Sequence, residues 1–274
     1  VPVEISLDNE FSKSEDALRE DNVRYFPARV ASGMRVLIVD GDPSGIFGRS
    51  ESFYLSNALS PGGPAISGVD VTVLDDADFD SSNLSQYEVI FIANLYRITE
   101  ERAVGLNEWV KNGGGLVLLL GDQIDEDVYN DVLYKNGSGL LPFKLSTVGG
   151  DEKEEKWVNI KPEKQNHPLF RFFEGDNKRL LDQVKVFRWW NSEIDDNENS
   201  PNPSNIVASL TSDDNSPLVV ERQIGDGRVL AVTTPLDNDW NNFPENGASF
   251  LITSQELVRY MSRNIASEGL LSVA

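Results

Sequence analysis

The chain has 274 residues, 39% of them hydrophobic, and a formal net charge of −21 from 45 acidic against 24 basic side chains. That length and composition can bury a substantial core in one large domain or two small ones, while the polyanionic charge disfavours nucleic acid and anionic membrane surfaces as partners. There is no Cys, which excludes disulfides, thiolate chemistry and Cys-ligated zinc, and no run approaches the roughly 20 apolar residues that cross a bilayer.

Residues 1 to about 32 form a segment of their own. Val3, Ile5 and Leu7 alternate with polar residues, and Val23 to Val30 is a second extended run. Two such strands cannot bury a face alone, so they are expected to complete a β-sandwich or to pack on the main domain. From Met34 the pattern is α/β. Val36–Val39 is a continuous apolar strand followed by the loop Asp40-Gly41-Asp42-Pro43-Ser44-Gly45, and a helix is expected over Ser50 to Leu59, stopped at Pro61-Gly62-Gly63-Pro64. Strands follow at Val69–Leu74 and Val89–Ala93. Thr99 is an N-cap for a helix with Glu100 and Glu101 at its positive end, Ala103, Leu106 and Val110 on one stripe, and Gly113-Gly114-Gly115 beyond it. Leu116–Leu120 is the fourth strand. It runs into Gly121-Asp122-Gln123, the place where an α/β chain often carries a nucleophile, with a short helix over Val128 to Leu133 after it. The spacing implies a mainly parallel sheet with helices on both faces. Later strands are expected at Trp157–Ile160, Val184–Phe187, Ile206–Leu210 and Leu218–Glu221, with a Gly225-Asp226-Gly227 hairpin into Arg228–Val232 and a closing helix over Ser249 to Asn264. Ile194 to Pro203 has the composition of an acidic surface loop.

Three segments carry a family likeness: Val36 through Asp40-Gly41-Asp42-Pro43-Ser44; Gly113-Gly114-Gly115-Leu116 through Gly121-Asp122-Gln123; and Gly227-Arg228-Val229-Leu230 through Thr233-Thr234-Pro235-Leu236-Asp237-Asn238-Asp239-Trp240. Together they resemble the class I glutamine amidotransferase-like domain of bacterial membrane-anchored proteins that also carry a von Willebrand A domain, of the aerotolerance-operon type. Asp16-Ala17-Leu18 with Asp21 to Tyr25 looks like the end of the immunoglobulin-like module that precedes that domain, and Gln255 to Tyr260 is similar to its closing helix. The resemblance implies a flavodoxin-like three-layer α/β/α fold, residues 33–274 forming the amidotransferase-like domain and 1–32 a β-strand extension. It also implies an extracytoplasmic location within a larger anchored protein, the other domains of that protein or a separate protein being the partners. The initial Val agrees with a piece of a longer chain.

Active amidotransferases of this class use a Cys at the elbow and a His and Glu from a late loop. Here Gly121-Asp122-Gln123 holds the elbow and the late loop has no His, so the thiolate–imidazole pair that glutamine hydrolysis needs by this route is missing. The expectation is a non-catalytic interaction or ligand-binding domain without catalytic residues, cofactor or resident metal. Its pocket, open to a small polar or sugar-like ligand, would draw on Asp40, Asp42, Arg49, Asn94, Asp122, Gln123 and Asp237 at the carboxyl edge where α/β ligands bind. The competing enzyme reading is a Mg²⁺-dependent phosphatase resembling the haloacid-dehalogenase type, with Asp40 and Asp42 as its first motif, Gly121-Asp122 with Asp127 as its last, and Lys111 beside the phosphate; Ser44 stands at its usual Thr position. Against both stands a plainer role: Asp40 and Asp42 shaping a turn and capping the next helix, Asp122 and Gln123 capping the one after.

The remaining motifs are weaker. His167, the only His, precedes Pro168 and is expected to make one hydrogen bond in a loop. Trp189-Trp190 fits core or interface filling better than sugar stacking. The aromatics of Asp237 to Phe243 are expected to anchor their loop, whose carboxylates do not match an EF-hand spacing. Neither a Gly-rich phosphate loop with a following Lys nor a Gly-x-Ser-x-Gly elbow occurs.

Overall fold

The computed structural model describes residues 2–6, 23–27 and 33–262, apart from residues 47, 82, 165 and 195–201. Two compact units divide the chain at Gly33/Met34. The first is an antiparallel pair, β1 (Pro2–Ser6) with β2 (Val23–Pro27), in register from Pro2↔Pro27 to Ser6↔Val23.

The second unit is built on an eight-stranded sheet. In chain order its elements are β3 (Met34–Asp40), α1 (Ser52–Leu59), the one-turn α2 (Pro64–Ser67), β4 (Val69–Asp75), β5 (Val89–Ala93), α3 (Glu100–Lys111), β6 (Gly115–Leu119) and α4 (Glu126–Val128), continued by a π-helix over Tyr129–Tyr134. There follow β7 (Lys144–Gly150), β8 (Ile160–Pro162), α5 (Lys178–Asp182), β9 (Arg188–Glu193), β10 (Ser204–Leu210), β11 (Pro217–Ile224), β12 (Gly227–Val232) and α6 (Gly247–Met261). The sheet order is β4-β3-β5-β6-β12-β11-β10-β8. Strands β4, β3, β5, β6 and β12 run parallel, and β11, β10 and β8 close one side antiparallel.

The apolar runs become central strands because both sheet faces are covered. Val36, Ile38, Phe91, Val117, Leu119 and Leu230 face Leu55 and Leu59 of α1 and Leu257, Val258 and Met261 of α6. The alternate residues Leu37, Val39, Ile90, Ile92, Leu116 and Leu118 face Ala103, Leu106 and Val110 of α3, with Tyr129 and Leu133 of the π-helix. The layers are therefore α/β/α, as the strand–helix spacing requires. Thr99 caps α3, its Oγ1 accepting from Arg102 N at 3.3 Å, and β11 turns into β12 with Ile224 opposite Gly227.

The second half departs from expectation at three places. Val184 to Phe187 is not a strand; Val186 makes only isolated bridges to Val158 and Asn241, and the strand is β9, which contains Trp189 and Trp190. Its partner β7 carries no apolar signal, because Lys144–Gly150 pairs in a separate two-stranded sheet with Leu145 alone buried and the rest half-buried or exposed. Trp157–Ile160 contributes only Ile160 to a strand, β8. Most of the acidic segment from Ile194 to Pro203 lies outside the described residues.

Candidate functional site at the carboxyl rim

Because β3, β5, β6 and β12 are parallel, their carboxyl ends deliver Asp40, Asn94, Gly121 and the Thr233–Trp240 loop to one rim of the sheet. Asp40 is 2% exposed and both its carboxylate oxygens accept hydrogen bonds. Oδ1 accepts from Asp42 N (3.1 Å), and Oδ2 accepts from Ser52 N (3.1 Å) and Ser52 Oγ (2.5 Å). This is the turn-shaping and helix-tethering role. Lys111 does not come to this rim. It ends α3, its backbone carbonyl accepts from Asp226 N, and its ammonium pairs with Glu108; it sits at the amino end of the sheet.

The tether from Asp40 also fixes Glu51, the residue before α1, which is 2% exposed. Its Oε1 accepts from Asn94 Nδ2 at 2.6 Å. The same Asn94 amide donates to Asp122 Oδ1 (2.8 Å), and Asn94 Oδ1 accepts from Gln123 N (2.9 Å). Asn94 is thus a hub joining the ends of three elements. It sits at φ 49°, in the left-handed region that Asn tolerates better than most side chains. Gly41 and Gly121 make room for it: a Cβ on Gly41 would fall 2.2 Å from the Asn94 carbonyl oxygen, and one on Gly121 2.4 Å from the Asn94 amide carbon.

Asp122 and Gln123 do not start the following helix, contrary to the capping expectation. Asp125 does so, its Oδ1 accepting from Val128 N at 3.2 Å. The extra residues of turn free Asp122 to reach Asn94. The Gly121 carbonyl is in turn held by Trp190 Nε1 at 2.8 Å, with Trp240 buried beside it, while Trp189 Nε1 donates to Asn191. Both tryptophans of the pair are buried, as core filling predicts.

The late loop supplies the remaining charge. Asp237 is 4% exposed, and its Oδ1 accepts from Asp239 N at 3.0 Å. Burial, the Asp237 carboxylate and Asp40 push the Glu51 carboxyl up to about 10. Burial, with Asp239 and Asp122, pushes Asp237 up to about 6. The two carboxyls face each other in the buried floor and hold one proton between them: Glu51, the more strongly raised, is the protonated member and donates to Asp237, the ionised one. Around this floor lies an outer layer. Asp42 is raised by burial, Asp122 and Asp40, and Asp239 is raised by burial, Asp122 and Asp42 against the opposing charge of Arg49. Asn238 Nδ2 donates to the Tyr54 hydroxyl at 2.8 Å.

The structure therefore gathers all of Asp40, Asp42, Arg49, Asn94, Asp122, Gln123 and Asp237 at the rim. It divides them into a buried floor (Asp40, Asn94, Asp237) and a partly exposed layer (Asp42, Arg49, Asp122, Gln123). Glu51, Tyr54, Asn238 and Asp239 join them. Only Asp239 carried a signal, as an acid in the same loop as Asp237; a Glu before a helix reads as an ordinary surface charge. His167 lies elsewhere: its Nδ1 accepts from Leu169 N at 3.4 Å, and its ring meets Tyr260 edge-on. Among the described residues no group of three or more His, Asp or Glu is arranged to hold a metal ion. The rim can accept hydrogen bonds from hydroxyl or ammonium groups and orient them, but it has no thiolate to attack an amide.

At the level of sequence, no family model and no curated relative matches the chain. The fold, by contrast, is shared with solved structures. A cytoplasmic protein from Salmonella typhimurium is similar at TM-score 0.59 and 15% identity, the match covering 84% of this chain and 99% of that one. A ThuA-like protein from Bacteroides uniformis is similar at TM-score 0.57 and 13% identity, over 87% of this chain and 97% of the other. The cold-adapted β-galactosidase from Rahnella sp. R3 contains a similar domain, matched over 86% of this chain and 32% of the enzyme at TM-score 0.54 and 16% identity. The likeness establishes the fold class: flavodoxin-like α/β/α of the class I glutamine amidotransferase type.

Proposed function

We propose that the α/β unit is a non-catalytic, amidotransferase-like binding domain within a larger membrane-anchored, extracytoplasmic bacterial protein. Its outer layer of Asp42, Arg49, Asp122, Gln123 and Asp239 receives a small polar ligand or a polar segment of a partner domain. One observation carries the reading. At the elbow, where the catalytic members of the fold place a thiol, Asp122 is locked by Asn94 into a hydrogen-bonded floor with Glu51. A site built this way is rigid and charged, which suits recognition, and it has no group to form an acyl intermediate. The anchored setting rests on the resemblance of the three sequence segments, and the short β1–β2 unit before Gly33 agrees with the end of a preceding β-module.

The test is a thermal-shift screen of small amines, amino acids and polyols on the full chain, beside a glutaminase assay. The expectation is no glutamine turnover and at least one stabilising compound whose effect is lost in Asp122→Asn and weakened in Arg49→Ala. Turnover of glutamine, or stabilisation indifferent to both substitutions, refutes the proposal.

A further inference from the structure

The opposite end of the sheet holds a concavity independent of the rim. A groove of about 550 Å³ runs between the residues leading into β5 and the last turns of α3, a size within the roughly 300–1,000 Å³ of small-ligand sites. Trp109 and Tyr87 form its aromatic surface, both only partly buried. Trp109 is held by backbone: its indole lies so close over Gly114 that a Cβ there would fall 2.4 Å from Cε2 and 2.5 Å from Cδ2. A ring seated on a glycine is fixed at little entropic cost to a ligand that stacks on it.

The polar groups around the rings are mixed in kind. Glu88 is oriented by Arg35, whose backbone N–H donates to Oε2 at 2.6 Å. Glu108 is oriented by Lys111, whose ammonium lies 2.8 Å from Oε1. Asn112 spends its amide N–H on the Glu108 carbonyl at 2.8 Å and keeps its Oδ1. Donors stand beside these acceptors: the Trp109 indole N–H, the Tyr87 hydroxyl and the Ser85 hydroxyl have no protein partner among the described residues. A phosphate or carboxylate ligand would meet two carboxylates in a chain of net charge −21. A quaternary ammonium would use the ring faces and the carboxylates but none of the donors. Neutral hydroxyls, each donor and acceptor at once, use all of them, and the C–H face of a pyranose covers an aromatic ring.

We propose that this groove binds a neutral saccharide of one or two pyranose rings, stacked on Trp109 and hydrogen-bonded by Glu88, Glu108 and Asn112. The experiment tracks the five Trp indole N–H signals of the ¹⁵N-labelled full chain during titration with methyl glucoside, methyl galactoside, cellobiose, maltose and lactose. Choline and glucose 6-phosphate serve as the cationic and anionic arms. The expected result is a saturable shift confined to the Trp109 signal with a Kd of about 1 mM or tighter for at least one neutral sugar. In the Trp109 variants, which lack that signal, binding is read from the backbone amide shifts of Glu88 and Asn112: Trp109→Ala should weaken it at least tenfold, and Trp109→Phe should restore part of it. Glu108→Gln, at a side chain 60% exposed and so safe for folding, should weaken it several-fold. Absence of a saturable Trp109 shift with every sugar, tighter binding of choline than of any sugar, or binding unchanged in both Trp109→Ala and Glu108→Gln overturns the proposal.

Discussion

Asn94 holds the rim together, and its removal should be felt well beyond its own volume. Truncation at 94 deprives buried Glu51 and the Asp122 carboxylate of a donor and Gln123 N of its acceptor. Each unpaired buried polar group costs about 1–3 kcal/mol, so Asn94→Ala should lose about 2–4 kcal/mol in urea denaturation. Asn94→Gly should lose about 1 kcal/mol less, because it relieves the left-handed backbone at φ 49°; equal losses would deny that strain. Glu51 gives a prediction in pH. Its folded value, about 10, lies above its unfolded value of 4.5, and Asp237 stands at about 6 against 3.8. The folded state therefore binds more protons than the unfolded one. The stability they contribute is complete below pH 4 and is lost as pH rises, first through the Asp237 range and then up to that of Glu51. Glu51→Gln should flatten the alkaline limb, gaining about 1–3 kcal/mol at pH 8 and almost nothing at pH 5. A wild-type urea midpoint that climbs from pH 5 to pH 8 would contradict the assignment of the proton to Glu51. No sequence pattern announces this: Asp40 and Asp122 are legible as strand-end acids, but Glu51 acquires its state only by being pulled inward with the start of α1.

Among the elements, those legible in advance are the ones whose burial is two-sided. Val36–Val39, Val89–Ala93 and Leu116–Leu120 are apolar at every position because helices cover both sheet faces, and the α3 cap and stripe follow from local rules. The β7–β9 pair was hidden for the converse reason. It lies outside the main sheet with Leu145 alone buried in its first strand, so Lys144–Gly150 shows no alternation, and the Trp pair in β9 was legible as core without its strand being so. That pair also supports the rim across chain distance, since Trp190 Nε1 donates to the Gly121 carbonyl at 2.8 Å. Trp190→Phe preserves most of the apolar contact and strands that carbonyl, at an expected cost of about 1–3 kcal/mol. Because the Gly121 turn carries Asp122, the substitution should also diminish any ligand-induced thermal shift at the rim. Destabilisation that leaves the rim's ligand response intact would show that β9 supports the core but not the site.

For the whole molecule, the parallel sheet explains why two polar clusters of different chemistry lie at its opposite ends: strand carboxyl ends gather acids and Asn94, and strand amino ends meet the close of α3 with its Trp109. The net charge of −21 sets the conditions under which either is occupied. Like charges crowded on a folded surface are further apart in the unfolded chain, so self-repulsion subtracts from stability and is screened as the Debye length falls from about 10 Å at 0.1 M salt to about 3 Å at 1 M. Raising NaCl from 0.05 to about 0.5 M should therefore lift the Tm by about 2–6 °C at pH 8. At pH 5 the lift should shrink. Asp42 and Asp239, both raised by burial and by their acidic neighbours, take up protons earlier on acidification than free carboxylates do, so the repulsion that salt would screen fades as the pH falls. The same salt should weaken a cationic ligand at the rim and leave a neutral ligand in the Trp109 groove unaffected, so scanning calorimetry at two pH values and two salt concentrations separates the global field from the two local sites. A salt response equal at pH 5 and pH 8 would place the repulsion elsewhere on the surface.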